Sequence, residues 1–531
     1  MEPLDTGRLL ATLPARLGGI PRRWAERAPQ APALHDGARH WSYAELTAAV
    51  DQTAALLRAL EVRPGDRLMV VGENCAAQVA LIFAAADIDA WIVNVNGRLS
   101  AREVDQIMDH SGARRVIYLA APDDGSASAQ AHRSASAPLT ASPESAAHGQ
   151  RHGAVSTPSP FGTWMVGALN ADCVPEPVHA DPAQQVAALI YTTGTTGQPK
   201  GVMLTHRNLL FIAAVSSTLR GLTPTDRAYG VLPITHVYGL ASVMLGTLYA
   251  GACLYLCPRF APDAVLKAIR DDGLTILQGV PAMYARLLEQ LGGAGEPLAS
   301  RLRFIYAGGS PLAPSLKAQV QQLFGLPLHN GYGMTETSPT ISQTRLDQPR
   351  DDASVGQVIP GVEVRLVDAG GADVAPGEDG ELWVRGPNIM AGYYREPELT
   401  AAMRDGGWLN TGDVARQDAD GALFIVGRTK ELIIRSGFNV YPLEVETVLN
   451  AHPAVTQSAV VGRNADDGNE EVVAFVEIDP RHRVTPEELQ QYLAGLLSPY
   501  KCPSEIIEMQ ALPAAATGKI LKGQLRQLAQ K

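Results

Sequence analysis

The stretch Tyr191–Gly201 reads YTTGTTGQPKG. Four threonines, three glycines and one lysine fall within these eleven residues. Glycine lets a backbone approach an anion closely, threonine hydroxyls donate hydrogen bonds, and Lys200 supplies positive charge, so the segment suits a phosphate. It is not a Walker loop. GxxxxGK[ST] does not fit, and the chain runs on into the β-like VMLTH (Val202–His206) instead of a helix. A polar hairpin turn is the other reading of the same residues, although turns seldom combine so many phosphate-compatible groups. The apolar run Val186–Tyr191 in front of it predicts a buried strand, giving strand, glycine-rich loop, strand.

Outward from this loop, the first 120 residues alternate helical and strand patterns. Ser42-x-x-Glu45 and Ser100-x-x-Glu103 resemble capping boxes that open helices, while Arg67–Val71 and Arg115–Ala120 read as strands. The alternation returns between Ala252 and Leu328, with strands at Ala252–Leu256, Thr275–Gln278 and Phe304–Ala307 and helices at Asp263–Asp271 and Ala282–Leu291. This predicts an α/β protein of layered α/β subdomains with much parallel pairing. Residues 361–427 differ: short apolar runs between Gly, Pro and Asp clusters predict a small β-rich subdomain. A compact α+β unit follows, so the expected division is an N-terminal domain 1–428 and a small C-terminal domain 429–531. Asp123–Pro160, rich in Ala, Ser, Pro, Gly and His, cannot bury enough surface to offset its ordering entropy and is expected to be a flexible surface insertion.

Composition narrows the function. With 531 residues, 46% hydrophobic and 19% charged, the chain has the make-up of a soluble multidomain protein. A formal net charge of −11 argues against nucleic acid or an anionic membrane as main partner, though not against a local basic pocket for a small anion. Five scattered cysteines, without a second close pair or a His cluster, argue against structural zinc and favour a reduced, cytoplasmic setting. The N-terminus MEPLDTGRLLATLPARLGG lacks the basic-then-apolar order of a signal peptide. Ile234–Pro258 carries no charge over a length that could span a membrane. Gly239, Gly246 and Gly251 interrupt it, however, and a buried helix (Leu240–Ala250) followed by a buried strand (Ala252–Cys257) reads better than a transmembrane segment.

The loop at 191–201 resembles the phosphate loop of the adenylate-forming superfamily, which groups acyl-CoA synthetases, nonribosomal-peptide adenylation domains and firefly-type luciferases. Further segments similar to that family's motifs follow in its order. They are LPITHVYG (Leu232–Gly239), YAGGSPL (Tyr306–Leu312), NGYGMTET (Asn330–Thr337), WLNTGD (Trp408–Asp413), GRTKELIIRSGFNVYPLEVE (Gly427–Glu446) and PAAATGKILK (Pro513–Lys522). The resemblance covers nearly all of the chain outside the Ala/Ser-rich insertion. It implies an ATP-dependent acid:CoA ligase using Mg²⁺, in which a carboxylate and ATP give acyl-AMP and pyrophosphate, and CoA then takes the acyl group.

What the resemblance implies for single residues can be stated. Thr192, Thr193, Gly194, Thr195, Thr196, Gly197 and Lys200 would hold the β- and γ-phosphates. Tyr332 would stack on adenine beside Gly309, Ser310, Asn330 and Gly331, Thr335 would bond the α-phosphate, and Glu336 would hold Mg²⁺. Taken alone, Tyr332 is a core aromatic and Glu336 a solvated carboxylate; the neighbouring motifs reverse both readings. Asp413 would accept hydrogen bonds from the ribose hydroxyls with help from Arg428. Lys519 would neutralise charge growing between carboxylate and α-phosphate, and is the expected catalytic group for adenylation together with Glu336 and His236. Lys430 would sit at the hinge on which a mobile C-terminal domain rotates, bringing Ser436 and Gly437 to the site so that the pantetheine arm of CoA can pass close to backbone. Arg259 is a candidate for a CoA phosphate.

His236 matches the family's gate beside the acyl pocket, whose other candidates are Tyr238, Gly239, Ser242 and Tyr306. These are apolar or small. No Asp stands near His236 to pair a substrate amine, and His329-Asn330-Gly331 lacks the arginine pattern of malonate activation. A hydrophobic monocarboxylate is expected, either a fatty acid or an aryl or arylalkenyl acid. An acyl-AMP ligase that loads a carrier protein and a non-catalytic nucleotide-binding relative stay open as alternatives. Gly437 favours CoA, and the presence of Thr193, Glu336, Asp413, Arg428 and Lys519 favours catalysis. A homodimer is compatible with this reading.

Overall fold

Two large sheets carry most of the chain, with helices between and around them. The computed structural model describes residues 4–37, 39–119, 154–193, 199–293, 295, 297–435, 438–465, 469–514 and 520–530. In the first sheet, of nine strands, Leu328–Gly333, Phe304–Ala307, Ile276–Gly279, Arg227–Gly230, Cys253–Leu256 and Pro32–Asp36 lie side by side in parallel. Antiparallel strands close its two edges. The second sheet, of eight strands, has a parallel centre made of Val186–Thr193, Trp91–Asn96, Arg67–Gly72 and Arg115–Tyr118.

The helices Ala76–Asp87 and His206–Leu219 are buried along nearly every residue. A helix that is apolar all round must have protein on all sides, and one continuous core joins both helices to strands of both sheets. Both predicted capping boxes form: the Ser42 and Ser100 side chains accept from the amides of Glu45 and Glu103, whose carboxylates accept in return from the cap amides. The uncharged segment near 234–258 opens as a wide π-helical turn, Tyr238–Leu245, continues as helix Gly246–Tyr249 and then joins the first sheet as Cys253–Leu256. Among the described residues no helix is long and apolar enough to cross a membrane.

The expected α/β layering is observed, and 361–427 is rich in strands as expected. Glu363–Val367, Asp379–Arg385, Trp408–Gln417, Arg404–Asp405 and Leu423–Arg428 form one antiparallel sheet. After it come a two-stranded ribbon, a three-stranded sheet and their own apolar clusters, drawn wholly from residues beyond Leu432.

One expectation needs correcting. The segment 123–160 was to be a flexible insertion, yet Val155–Ser159 is a strand, paired antiparallel with Gly162–Val166, which pairs in turn with Arg115–Tyr118. Composition misleads here because an edge strand needs backbone partners on one side only, while the burial is supplied by its neighbour's Trp164. Residues 123–153 lie outside the described residues.

Candidate active site

The loop 194–198 joins two antiparallel strands, with Thr193 opposite Pro199, Thr192 opposite Lys200 and Tyr191 opposite Gly201. The flanking strands therefore pair as a hairpin, as the turn reading expects. Gly194, Thr195, Thr196 and Gly197 lie outside the described residues, but the hairpin fixes where they start and end. Thr192 and Lys200 line a cleft of roughly 3640 Å³. Behind them the Tyr191 hydroxyl is 2.8 Å from His110 Nδ1.

The short strand Gly392–Tyr393 adds to the outer edge of this hairpin, opposite Met203 and Val202. That addition brings Tyr393 to Glu336. Its hydroxyl donates to Glu336 Oε1 at 2.6 Å, and the Lys200 ammonium stands 5.8 Å from the centre of its ring. Burial, then the Glu336 carboxylate, raises the Tyr393 pKa, so the phenol stays a donor. Glu336 sits in the tight turn Thr335–Thr337 directly after strand Leu328–Gly333. It is 9% exposed and faces the cleft beside Thr335.

No group of three or more His, Cys, Asp or Glu side chains is placed to hold a metal among the described residues. A single oriented carboxylate fits Mg²⁺, which prefers oxygen and takes the rest of its shell from water and substrate phosphates. Tyr393 was not anticipated as part of the site. Tyr393→Phe is expected to raise the Mg²⁺ concentration for half-maximal rate by about 10- to 100-fold, the scale of one hydrogen bond to a charged group that orients a ligand, with little change in thermal stability. A rate titration against free Mg²⁺ checks this; an unchanged Mg²⁺ dependence would assign the contact to packing alone.

Asp413 and Arg428 face each other across neighbouring strands, with Arg428 Nε 2.8 Å from Asp413 Oδ1. The Tyr332 hydroxyl donates to the other carboxylate oxygen, and the Asp413 amide donates to Thr411 Oγ1. Asp413 is 2% exposed while the Arg428 side chain is half-exposed, so the carboxylate is fixed from below and its ion pair opens to the cleft. The Asp413 charge, working against burial, raises the Arg428 pKa; burial first and then Asp413 raise that of Tyr332. A carboxylate has about four acceptor positions, so two remain for a diol.

Gly309 (φ +85°) and Ser310 line the same cleft. Gly331 does so too, and there a Cβ would stand 1.9 Å from the Tyr306 hydroxyl. Asn330 turns its amide inward: Oδ1 accepts from the Gly331 amide and Nδ2 donates to the Ser354 carbonyl.

The acyl-pocket candidates divide. His236, whose Nδ1 accepts from the Tyr238 amide at 3.3 Å, lines the cleft with Tyr238 and Tyr306. Gly239 and Ser242 do not. A Cβ on Gly239 would meet the Pro233 carbonyl at 2.2 Å, so that glycine serves backbone packing, and Ser242 is wholly buried with its hydroxyl 3.4 Å from that of Thr340. Arg259 is also away from the cleft, with its guanidinium on Glu73 at 3.1 Å.

Lys430 is exposed on the cleft wall in the turn Thr429–Glu431. Ser436, Gly437 and Lys519 lie outside the described residues. Ala514 and Ile520, which bracket Lys519, pair with each other and both line the cleft. Lys522 lies 2.8 Å from both Glu431 and Glu446; burial lowers its pKa, and the two carboxylates more than offset that.

Comparison with known proteins agrees with this geometry. Residues 21–394 match the AMP-binding enzyme family and residues 444–519 its C-terminal domain. The chain is 35% identical to a feruloyl-CoA synthase from Amycolatopsis sp. (96% of this chain, 98% of that protein). It is 33% identical to the indoleacetate–CoA ligase of Aromatoleum aromaticum (95% and 96%). Among solved structures it resembles ATP-bound MatB from Rhodopseudomonas palustris, with TM-score 0.81 and 30% identity over 96% of this chain and 98% of that one. It also resembles the o-succinylbenzoate CoA synthetase MenE of Bacillus subtilis in complex with ATP and magnesium, with TM-score 0.78 and 28% identity over 95% and 98%. The chain belongs to the AMP-binding enzyme family, as an AMP-forming acid–thiol ligase of its acyl- and aryl-CoA branch.

Proposed function

We propose that the chain activates a hydrophobic monocarboxylic acid with ATP and Mg²⁺ and transfers the acyl group to CoA. The observation that carries this is one cleft in which Glu336 is oriented by Tyr393, and Asp413 by Arg428 and Tyr332, beside a wall of Tyr238, Tyr306 and Val280. A carboxylate oxygen attacks the α-phosphorus, the bond to the β-phosphate oxygen breaks, and pyrophosphate leaves. The CoA thiol, as thiolate, then adds to the acyl carbon and AMP leaves with the carboxylate oxygen.

In this reading the 194–198 loop and Lys200 hold the leaving pyrophosphate, Asp413 holds the ribose, Thr335 the α-phosphate, and Lys519 meets the charge that grows at the reacting phosphorus. Bound at Glu336, Mg²⁺ would neutralise phosphate charge. The match to the family's C-terminal domain runs as far as Lys519, and the bridge between Ala514 and Ile520 holds both ends of that lysine's loop on the cleft wall. We read 1–428 as the adenylation domain and 429–531 as a mobile domain that pivots at Lys430, presenting Ser436 and Gly437 for the thiol step.

An aromatic or arylalkenyl acid is favoured over a fatty acid. The wall is built of tyrosine rings, with Tyr238 and Tyr306 centred 6.2 Å apart edge to face, and the relatives named for feruloyl and indoleacetate substrates cover nearly the whole chain. Five unpaired thiols agree with a cytoplasmic enzyme. Pyrophosphate release measured over aryl, arylalkenyl and alkyl acids, with and without CoA, tests the proposal. Release that depends on the acid and gives a thioester only with CoA is expected. Adenylate that never reaches CoA would assign the acceptor to a carrier protein, and no release with any acid would remove the function.

A further inference from the structure

Arg220 ends the buried helix His206–Leu219, is 1% exposed, and still reaches the acyl end of the cleft. Its hydrogen bonds use one nitrogen only: Nη1 donates to Gln278 Oε1 at 2.7 Å and to the Ser242 carbonyl at 3.3 Å, both neutral acceptors. Nε and Nη2 are buried without a hydrogen-bond partner among the described residues. The guanidinium carbon lies 4.5 Å from the centre of the Tyr306 ring, which returns part of the lost hydration through its π-face.

The surroundings repeat the pattern. Among the described residues, the Nε2 of Gln278, opposite Tyr306 on the adjoining strand, has no partner, and neither has the buried Tyr238 hydroxyl. The nearby His329 supplies no anion, since an imidazole is neutral or cationic; burial, with the Lys317 and Arg220 charges, lowers its pKa to about 4, so it stays neutral. Arg220 and Tyr238 thus bring donors that lack an acceptor to the cleft wall, with Gln278 behind them. A buried cation without an anion is costly, and so is each buried N–H left unpaired; a ligand oxygen placed there relieves both.

Building on the ligase reading, we infer that Arg220 recognises an oxygen acceptor at the far end of the acyl substrate, so that the enzyme takes acids with a hydrophobic body and a distal hydroxyl, carbonyl or carboxylate oxygen. Hydrophobic walls alone separate acids poorly, whereas a site built around a hydrogen bond rejects the analogue that lacks it by orders of magnitude. Arg220 would then act as a specificity residue, remote from the reacting atoms.

The test uses matched acids that differ only at the far end. The series are 3-phenylpropenoates bearing 4-methyl, 4-hydroxy, 4-acetyl or 4-carboxy groups, and straight-chain acids ending in methyl, hydroxyl, oxo or carboxylate. Pyrophosphate release by the unmodified enzyme should favour an oxygen-ended acid over its methyl-ended partner by about 10² in kcat/KM. Whether the neutral oxygens or the second carboxylate wins identifies the acceptor. In Arg220→Met that ratio should fall at least about tenfold, whereas a purely structural role would slow all acids in proportion and leave the ratio unchanged. Should the methionine variant not fold, Arg220→Lys, which keeps the charge but not the fork, should lower the ratio, and the panel on the unmodified enzyme decides by itself. Turnover without preference for an oxygen end, or a ratio unmoved in the variants, overturns the inference and leaves the ligase reading standing. No pyrophosphate release with any acid is instead a failure of that reading.

Discussion

Lys519→Ala is expected to slow acyl-adenylate formation by at least about 10², the scale of losing one donor to transition-state charge, and to leave thiolysis of supplied acyl-AMP largely intact. Negative charge accumulates as a carboxylate approaches an already anionic α-phosphate. Two described cations on the cleft wall are already ion-paired. Arg428 is paired with Asp413, and Lys522, three residues beyond Lys519, is held at 2.8 Å by both Glu431 and Glu446. Lys200 pairs with Thr192 in the hairpin, and the proposed function assigns it to the departing pyrophosphate. Pyrophosphate exchange reports the first half-reaction, and conversion of synthetic acyl-AMP and CoA to thioester reports the second. Equal loss in both would move Lys519 from catalysis to architecture.

Asp413→Ala is expected to lower kcat/KM for ATP by about 10² to 10⁴, chiefly through KM. Two ribose hydroxyls each lose a bond to a charged acceptor, worth about 1.5 to 3 kcal/mol apiece. The substitution also strips the Tyr332 hydroxyl of its acceptor and Arg428 of its ion pair, so the floor of the nucleotide site loosens as well as the grip on ribose. Steady-state kinetics with varied ATP, and direct binding of AMP, measure the effect. An unchanged KM for ATP would show that the carboxylate braces Tyr332 and Arg428 without touching nucleotide.

Much of the frame is legible in the sequence because local chemistry and global packing agree. The capping boxes at Ser42 and Ser100, the β-like exit from the phosphate loop and the uncharged helix and strand near 238–256 all follow from spacing and turn chemistry. What escapes the sequence depends on partners distant along the chain. Trp408–Gln417 is a ten-residue strand whose centre, Asn410-Thr411-Gly412, reads as a turn; only pairing with Asp379–Arg385 and Leu423–Arg428 makes it extended. Tyr393 reaches Glu336 because a two-residue edge strand hangs it on the hairpin of Val186–Thr193 and Pro199–Thr205. Gly239 ends the motif Leu232–Gly239 and Ser242 follows it, yet the π-helical turn that begins at Tyr238 turns both into the core. Arg220 looks like an ordinary basic residue at a helix end, and its burial beside Gln278 and Tyr306 is visible only in three dimensions.

Isotope transfer reaches the chemistry itself. An accepted acid labelled with ¹⁸O in its carboxylate, turned over with ATP and CoA, should yield AMP carrying one ¹⁸O and unlabelled pyrophosphate, because the oxygen that attacks the α-phosphorus stays there when the thiolate expels AMP. Unlabelled AMP, or label recovered in orthophosphate alongside ADP, would contradict an adenylate route.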